Sequence, residues 1–442
     1  MALSTLKKND FLTALNFLNQ AAVINKNNYL VKSNILFLLS KLERTKSIIE
    51  HCLMYIANHP NFIEGYTYLI NAYIVQGKKD DATKYLQEAI KLAPNHPELI
   101  RLHTLLLHVN EHSSFVTSII NQFSQSDDIK SKITYGYALS KIFEDNKNYK
   151  EAANWINKSN NLKKKLYTNY NLKLHLQQFE DLSNFFKKNF KLLKPNLNKH
   201  NVQPIFIVGL PRSGSTLIEQ ILSAHSKVVD IGEKSFFSDS INTYIEAEDT
   251  DTFCKIIEVS DAELFQQIAD LYIQKIKPLL VNNKNFFTDK MLLNFKLIPL
   301  IKSCFPHAKI IHCTRDAKDN CTSLLKTNFE GYLPWTYDEN SIVLFYKKYL
   351  QIMAVYSDLL ANDIYHAVYE QMVENQKDEI QKLLNFCGLV EEDACFEFYN
   401  NKREVNTASV LQVRKKIYNN SIGYWKNFQP YFPDMYKNLE SV

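Results

Sequence analysis

Apolar and small residues in the first half of the chain return every 34 positions, and beyond about residue 200 that pattern stops. Ala14, Ile48 and Ala82 keep the spacing, as do Ala21, Tyr55 and Ala89, and so do Pro60 and Pro94. The fullest copy is 63–96, IEGYTYLINAYIVQGKKDDATKYLQEAIKLAPNH. Small side chains at 82 and 89 let two antiparallel helices approach closely, Gly77 allows the turn between them, and Pro94 stops the second. A further helical pair is expected at 133–160, where Ala152 follows a short turn, while 97–130 is degenerate. After residue 200, short β-branched and aromatic runs (PIFIVG, AKIIHCTR, IYHAVYE) are each followed by a longer helical pattern. That alternation predicts a parallel sheet covered on both faces.

The copy at 63–96 resembles the tetratricopeptide repeat, with Tyr66, Leu69, Tyr73, Gly77, Ala82, Ala89 and Pro94 at the expected offsets. Such arrays form a concave surface that takes a protein partner or a second copy, or they prop up a neighbouring domain; the sequence leaves these open.

Composition changes this picture little. At 442 residues, with 45% apolar content, the chain suits two or three globular domains. Residues 1–200 hold 27 basic against 16 acidic side chains, while the remainder holds 25 against 31. Much of the basic excess lies in 161–200, expected as a solvated helical face; lysines without arginine or aromatic pairing do not mark a nucleic-acid partner. Seven scattered cysteines with no CxxC argue against a zinc site or a secreted disulfide framework. Charges interrupt the N-terminal apolar run, and the run MLLNFKLIPLIKSCF contains Lys296 and Lys302. No signal peptide or membrane anchor is expected, and a cytoplasmic location follows as an expectation.

The chemistry centres on PIFIVGLPRSGSTLIEQIL, residues 204–222, read as strand, tight loop and amphipathic helix. This is the setting in which backbone N–H groups at a helix start cradle a phosphate. Yet Ser215 stands where the nucleotidase loop G-x-x-x-x-G-K-[ST] has its lysine, and the loop's own cation is Arg212. No Walker B carboxylate or metal-ligand set accompanies it. KIIHCTRD instead ends a strand on Arg315 ahead of Asp316, which suits an anion better than magnesium.

GLPRSGSTLIEQILSAHSKVVDIGE resembles the 5′-phosphosulfate loop of sulfotransferases that use 3′-phosphoadenosine 5′-phosphosulfate (PAPS). In wording the chain is similar to bacterial tetratricopeptide–sulfotransferase proteins related to the tyrosylprotein sulfotransferases, and the likeness runs over the whole chain. It implies a fold of an N-terminal α-helical tetratricopeptide-like solenoid (1–160), a basic helical linker (161–200) and a P-loop-like α/β sulfotransferase domain with a central parallel sheet (201–442). Arg212, Ser213, Gly214, Ser215 and Thr216 would hold the 5′ group. In IIHCTRDAKDNCTSLLKTNF the resemblance assigns the 3′-phosphate to Arg315 and, eight residues on, Ser323. In DIGEKSFF it makes Glu233, 21 residues after Arg212, the base for the acceptor hydroxyl, with His225 as a competing candidate. In FTDKMLLNF it puts Lys290 near the bridging oxygen, where charge grows as the S–O bond breaks. The segment 406–428 would fold over the nucleotide, Ser409 assisting the leaving group and Arg414, Tyr418 and Lys426 closing on phosphates or acceptor. Tyr369 and Glu370 match a strand–helix motif read as structural.

The resemblance therefore implies a PAPS-dependent, metal-free sulfuryl transfer to a hydroxyl on a peptide tyrosine, a glycan or a small molecule. Two features depart from it. Ser215 replaces a threonine, keeping the hydroxyl, and Ser235 stands where the tyrosylprotein enzymes place an arginine that grips acidic peptides. The competing readings are a P-loop kinase or nucleotidase, and a tetratricopeptide scaffold with a non-catalytic nucleotide-binding domain.

Overall fold

A computed structural model describes residues 11–25, 27–190, 200, 202–280, 284–329, 331–401, 403–404 and 419–440. The chain divides into two compact units, one of residues 1–162 with 402–411 and the other of 163–401 with 412–442.

The first unit is helical. Its helices are α1 (Phe11–Ile24), α2 (Tyr29–Lys41), α3 (Thr45–Asn58), α4 (Ile63–Val75), α5 (Lys79–Leu92), α6 (Pro97–Leu106), α7 (Ser114–Gln125), α8 (Ile129–Asp145) and the start of α9 (Tyr149–Leu166). The copy at 63–96 is the pair α4–α5, with a left-handed Gly77 (φ 76°) at the turn. Lys78 N–H donates to Tyr73 O at 2.8 Å and Gly77 N–H to Ile74 O at 2.9 Å, closing the last turn of α4. Ala82 and Ala89 are fully buried against Tyr66, Leu69 and Tyr73 in one apolar core. The pair expected at 133–160 is α8–α9, packed so closely that a Cβ on Gly136 would lie 2.1 Å from Ser159 Oγ. Tyr137 OH donates to Asn160 Oδ1 across the same contact. The degenerate stretch also folds as helices, α6 and α7.

The second unit begins with the end of α9 and with α10 (Leu172–Asn189), inside the segment expected as a linker. Phe179, Leu182 and Phe186 recur at three- and four-residue steps and give α10 a buried face, while Lys187 and Lys188 remain outside. Lys187 and Lys188, part of the basic excess that suggested a solvated linker, lie on the exposed side of a packed helix, whereas Lys163 on α9 is buried.

Among the described residues the sheet has five strands, β1 (Gln203–Gly209), β2 (Val228–Asp230), β3 (Phe286–Asp289), β4 (Lys309–Thr314) and β5 (Ile364–Val368). They are ordered β2-β3-β1-β4-β5 and every pairing is parallel. The helices of this half are α11 (Ser215–Ser223), α12 (Phe236–Tyr244), α13 (Thr250–Val259), α14 (Ala262–Ile276), α15 (Ile298–Cys304), α16 (Ala317–Leu325), α17 (Glu339–Leu359), α18 (Tyr369–Glu374), α19 (Gln376–Cys387), α20 (Asp393–Phe396) and α21 (Pro433–Leu439). β1 is buried on both faces, as a central parallel strand must be. Its Ile205 and Ile207 join an aliphatic cluster with Leu217, Ile221 and Ile311. Phe206 faces an aromatic one, 5.7 Å from Phe237 and 6.1 Å from Tyr272. Each fully buried ring stabilises the sheet by roughly 1.5–3 kcal/mol. Among the described residues, no helix is long and apolar enough to cross a membrane.

Candidate active site

Because all five strands run in parallel, their C-terminal ends share one edge of the sheet, the usual place for ligands in open α/β folds. The segments singled out in the sequence leave from these ends: the loop to Gly214 after β1, Glu233 after β2, Lys290 after β3, Arg315 after β4 and Tyr369 after β5.

The β1 loop has a backbone that few side chains tolerate. Gly209 (φ 142°) lies so near β4 that a Cβ would be 2.6 Å from Cys313 O. Arg212 is left-handed at φ 69°, a conformation that costs a non-glycine residue about 1–2 kcal/mol. Held strain of this kind concentrates at functional sites. Gly214 (φ 90°) is the N-cap of α11, and Ser213, Ser215 and Thr216 are buried around it. Ser213 Oγ has no hydrogen-bond partner among the described residues, so a hydroxyl donor waits inside the loop. A Cβ on Gly214 would lie 2.7 Å from Tyr369 Cδ2. Gly214→Ala is therefore expected to lower stability by about 1–2 kcal/mol, from the positive φ alone. Thermal unfolding checks this, and a variant as stable as its parent would contradict the packing.

Two groups of side chains form over this edge. In the first, Arg212 Nε donates to Ser323 Oγ at 3.1 Å, and Arg315 Nη1 donates to Arg212 O at 3.3 Å. Arg315 Nη2 donates to Ser421 O, and its guanidinium sits 5.1 Å from the Tyr369 ring centre. Arg315 Nε is buried without a partner among the described residues. Asn320 Nδ2 donates to Pro211 O at 3.0 Å, tying the β1 loop to α16. Glu370 accepts from Asp316 N–H at 3.0 Å, a backbone support rather than a ligand contact. Residues from two distant motifs thus meet in one cationic cluster.

In the second group, Lys290 Nζ lies 2.8 Å from Glu233 Oε1 and 3.2 Å from Glu219 Oε2. The ammonium is 1% exposed and Glu219 2%, whereas the Glu233 side chain is 47% exposed. Lys290 N–H donates to Gly232 O at 3.1 Å, which fixes the strand end beside the Glu233 loop. Glu219 was not singled out in the sequence; a lone acid inside the apolar run TLIEQIL of a buried helix was the available signal.

Beneath Lys290, the Asp289 carboxyl is buried, accepting from Met291 N–H at 3.0 Å and Tyr272 OH at 2.8 Å. Burial pushes it up to about 7, with the Glu219 charge adding to the rise. The folded chain therefore holds a proton that the unfolded chain, with an ordinary aspartate, has released. Stability falls as pH rises from about 4 to 7, by up to about 4 kcal/mol at roughly 1.4 kcal/mol per unit. Asp289→Asn, able to make both hydrogen bonds, is expected to flatten that slope and to unfold at a higher temperature than the parent at pH 8. An unchanged slope would show that the proton is held elsewhere.

The remaining candidates are placed differently. His225 Nδ1 accepts from Lys227 N–H at 3.0 Å and Nε2 donates to Val390 O at 2.9 Å, so both ring nitrogens are engaged in structure. The GYWKNF segment is bound to α16 by Asp319, whose carboxylate accepts from Gly423 N–H at 2.6 Å and Trp425 N–H at 2.8 Å. Asp319 is a second residue the sequence reading passed over. Lys426 is exposed beside Gly423. Ser409, Arg414 and Tyr418 lie outside the described residues.

Residues 204–393 match the Sulfotransferase family. An uncharacterized protein of Aquifex aeolicus (strain VF5) is 31% identical over 320 residues, covering 70% of this chain and 42% of its own length. The chain thus spans less than half of that relative. A Caenorhabditis briggsae protein named "Putative protein-tyrosine sulfotransferase" is 26% identical over 252 residues, covering 54% of this chain and 86% of its own. Among solved structures, the sulfotransferase domain of the Synechococcus PCC 7002 olefin synthase shares 18% identity at a TM-score of 0.39, covering 56% of this chain and 98% of that one. The sulfotransferase domain of the curacin biosynthetic pathway shares 17% at 0.36, covering 54% and 98%. Over residues 204–393, the stretch that contains the β1 loop, Glu233, Lys290 and Arg315, this chain carries a domain of the sulfotransferase family.

Proposed function

We propose that the chain is a PAPS-dependent sulfotransferase that moves a sulfuryl group in line to an acceptor hydroxyl. The observation that carries this reading is the Lys290–Glu233 ion pair, 2.8 Å long, on the same strand-end edge as the Arg212–Ser323–Arg315 cluster. The donor set suits such a nucleotide: Ser213 Oγ and Arg315 Nε are buried donors without partners among the described residues, and Gly209 and Gly214 leave the backbone bare where a Cβ would clash. When bound, PAPS supplies an activated sulfuryl group and a phosphate leaving group. Arg212, Ser213, Gly214, Ser215 and Thr216 would hold the 5′ side, with backbone N–H groups and the α11 dipole facing anionic oxygens. Arg315 and Ser323 would hold the 3′-phosphate, the guanidinium fork meeting two oxygens. Glu233 would take the acceptor's proton as its oxygen bonds to sulfur, and Lys290 would meet the charge left on the phosphate oxygen when the old S–O bond breaks.

Ser409, Arg414, Tyr418 and Lys426 complete the proposed set on the strength of the family resemblance. Peptidyl tyrosine is the first acceptor to test. The helical unit, proposed as a tetratricopeptide-like array over 1–160, is a reasonable recruiter of a protein substrate. With Ser235 in place of the arginine of the tyrosylprotein enzymes, that substrate need not be acidic.

Thermal-shift titration with 3′,5′-adenosine bisphosphate and with Mg-ATP separates this reading from a P-loop kinase. A ligand at 100 times its Kd adds about 2.7 kcal/mol, a clear rise in unfolding temperature. Stabilisation by the bisphosphate is expected; stabilisation by Mg-ATP alone would reverse the assignment.

A further inference from the structure

We propose that Glu219 is a positioning residue, a fixed buried counter-charge that keeps Lys290 in place so that Glu233 is free to leave it for the acceptor. This rests on the sulfuryl-transfer reading above.

Lys290 Nζ is shared by two carboxylates whose surroundings differ. Glu219 is 2% exposed on α11, the helix that starts at the phosphate loop, and lies 3.2 Å from the ammonium. Glu233 is 47% exposed on a short loop after β2, 2.8 Å from the same atom. One is built in and the other is within reach of solvent and of an incoming hydroxyl. If Glu233 alone balanced Lys290, each proton it accepted would strand a buried ammonium, at a cost of several kcal/mol. The base would then resist protonation and turn over poorly. With Glu219 in place, protonated Glu233 departs and a neutral Glu219–Lys290 pair remains.

The other titratable groups packed near Glu219 do not take over this role. Asp289, in the strand end beside Lys290, has its two carboxyl oxygens taken by Met291 N–H and Tyr272 OH. The Cys313 thiol at the end of β4 is pushed up by burial, so it contributes no anion at neutral pH. Asp289 and Cys313 feel the Glu219 charge, while Lys290 Nζ is met by the carboxylates of Glu219 at 3.2 Å and Glu233 at 2.8 Å.

Opposite signs separate positioning from mere support. Removing the Glu219 charge with its shape kept leaves the site one charge more positive, so Glu219→Gln is expected to bind 3′,5′-adenosine bisphosphate about tenfold more tightly than the parent. In the same variant Glu233 faces an ammonium it no longer shares. The rise in bisphosphate binding toward acid pH should therefore have its midpoint at lower pH than in the parent. Calorimetric titration of the full chain with the bisphosphate between pH 4.5 and 8 reads both effects. A residue that only props up the loop would, when replaced, weaken binding and leave the midpoint where it was; that result overturns the proposal. Glu219→Asp retains the charge on a shorter stem and carries the test if the glutamine variant does not fold. It is expected to bind within about twofold of the parent, and tenfold weaker binding would equally overturn the proposal. Parent chain that binds no bisphosphate at all would remove the sulfuryl-transfer reading and this proposal with it, whereas normal parent binding beside a weakened Glu219→Gln removes the proposal alone.

Discussion

Glu233→Gln is expected to bind 3′,5′-adenosine bisphosphate at least as tightly as the parent chain while transferring labelled sulfate from PAPS more than about 10²-fold more slowly. Glutamine keeps the length and one acceptor oxygen, so Lys290 retains a hydrogen-bond partner at the 2.8 Å position, and the buried Glu219 contact is untouched. What it loses is the ability to take a proton. The Arg212–Ser323–Arg315 cluster, proposed to hold the nucleotide, is built from the loops after β1 and β4 and from α16 and does not include residue 233. Binding and transfer should therefore separate. The assay is labelled-sulfate transfer across tyrosine peptides, glycans and small hydroxylated molecules, with bisphosphate binding measured alongside. Transfer at the parental rate would remove Glu233 from the role of base. Loss of both binding and transfer would mean that its charge holds the loop.

Parts of this arrangement are written plainly in the sequence. PIFIVG is apolar throughout because β1 is covered on both faces, while AKIIHCTR and IYHAVYE mark β4 and β5 by their β-branched and aromatic residues, with β5 at the sheet edge and only partly buried. The 34-residue spacing of small residues marks α4–α5 because two helices can approach closely only where side chains are short. β2 and β3 are harder to see. They are three and four residues long, and neither run is long enough to show a period. The packing of α10, a helix expected as a solvated linker, was hidden for a different reason, since the lysines on one side masked an apolar stripe on the other.

The site shows the same division. Arg212, Gly214, Arg315 and Ser323 stand in local patterns, and the fold brings Arg212 of one motif against Arg315 and Ser323 of another. Glu219, a lone acid in an apolar run, and Asp319 carry little local signal, because each acts on something far away in the chain. Glu219 meets an ammonium on another strand, and Asp319 meets backbone N–H groups more than a hundred residues on. A single acid in an amphipathic helix reads as surface until the fold shows that its face is buried. His225 is the converse case: attractive as a base by residue type, it is engaged at both nitrogens by backbone groups.

Lys290→Met is expected to cost transfer about 10²–10³-fold and, separately, to cost folding stability in a way that depends on pH. The catalytic loss follows from its proposed place beside the breaking S–O bond, where a cation favours the transition state over the ground state. The stability loss follows from Glu219. Its carboxylate is 2% exposed, and taking away the ammonium at 3.2 Å leaves a buried charge uncompensated by Lys290. Breaking a buried pair from one side costs about 3–5 kcal/mol. Desolvation then raises the Glu219 pKa in the folded variant above its unfolded value. The variant should therefore be most stable at low pH, where Glu219 is protonated in both states, and should lose stability as pH rises through the folded pKa. Lys290→Met with Glu219→Met replaces the pair by apolar side chains of similar volume, and such exchanges are often neutral or stabilising. The double variant should regain most of the stability without regaining transfer. Thermal unfolding from pH 4.5 to 8, run beside the sulfate-transfer assay, separates the two effects. A folded Lys290→Met that transfers sulfate within tenfold of its parent would end the assignment of Lys290 to the leaving group. A double variant no more stable than the single one would show that Glu219 is not the charge that Lys290 balances.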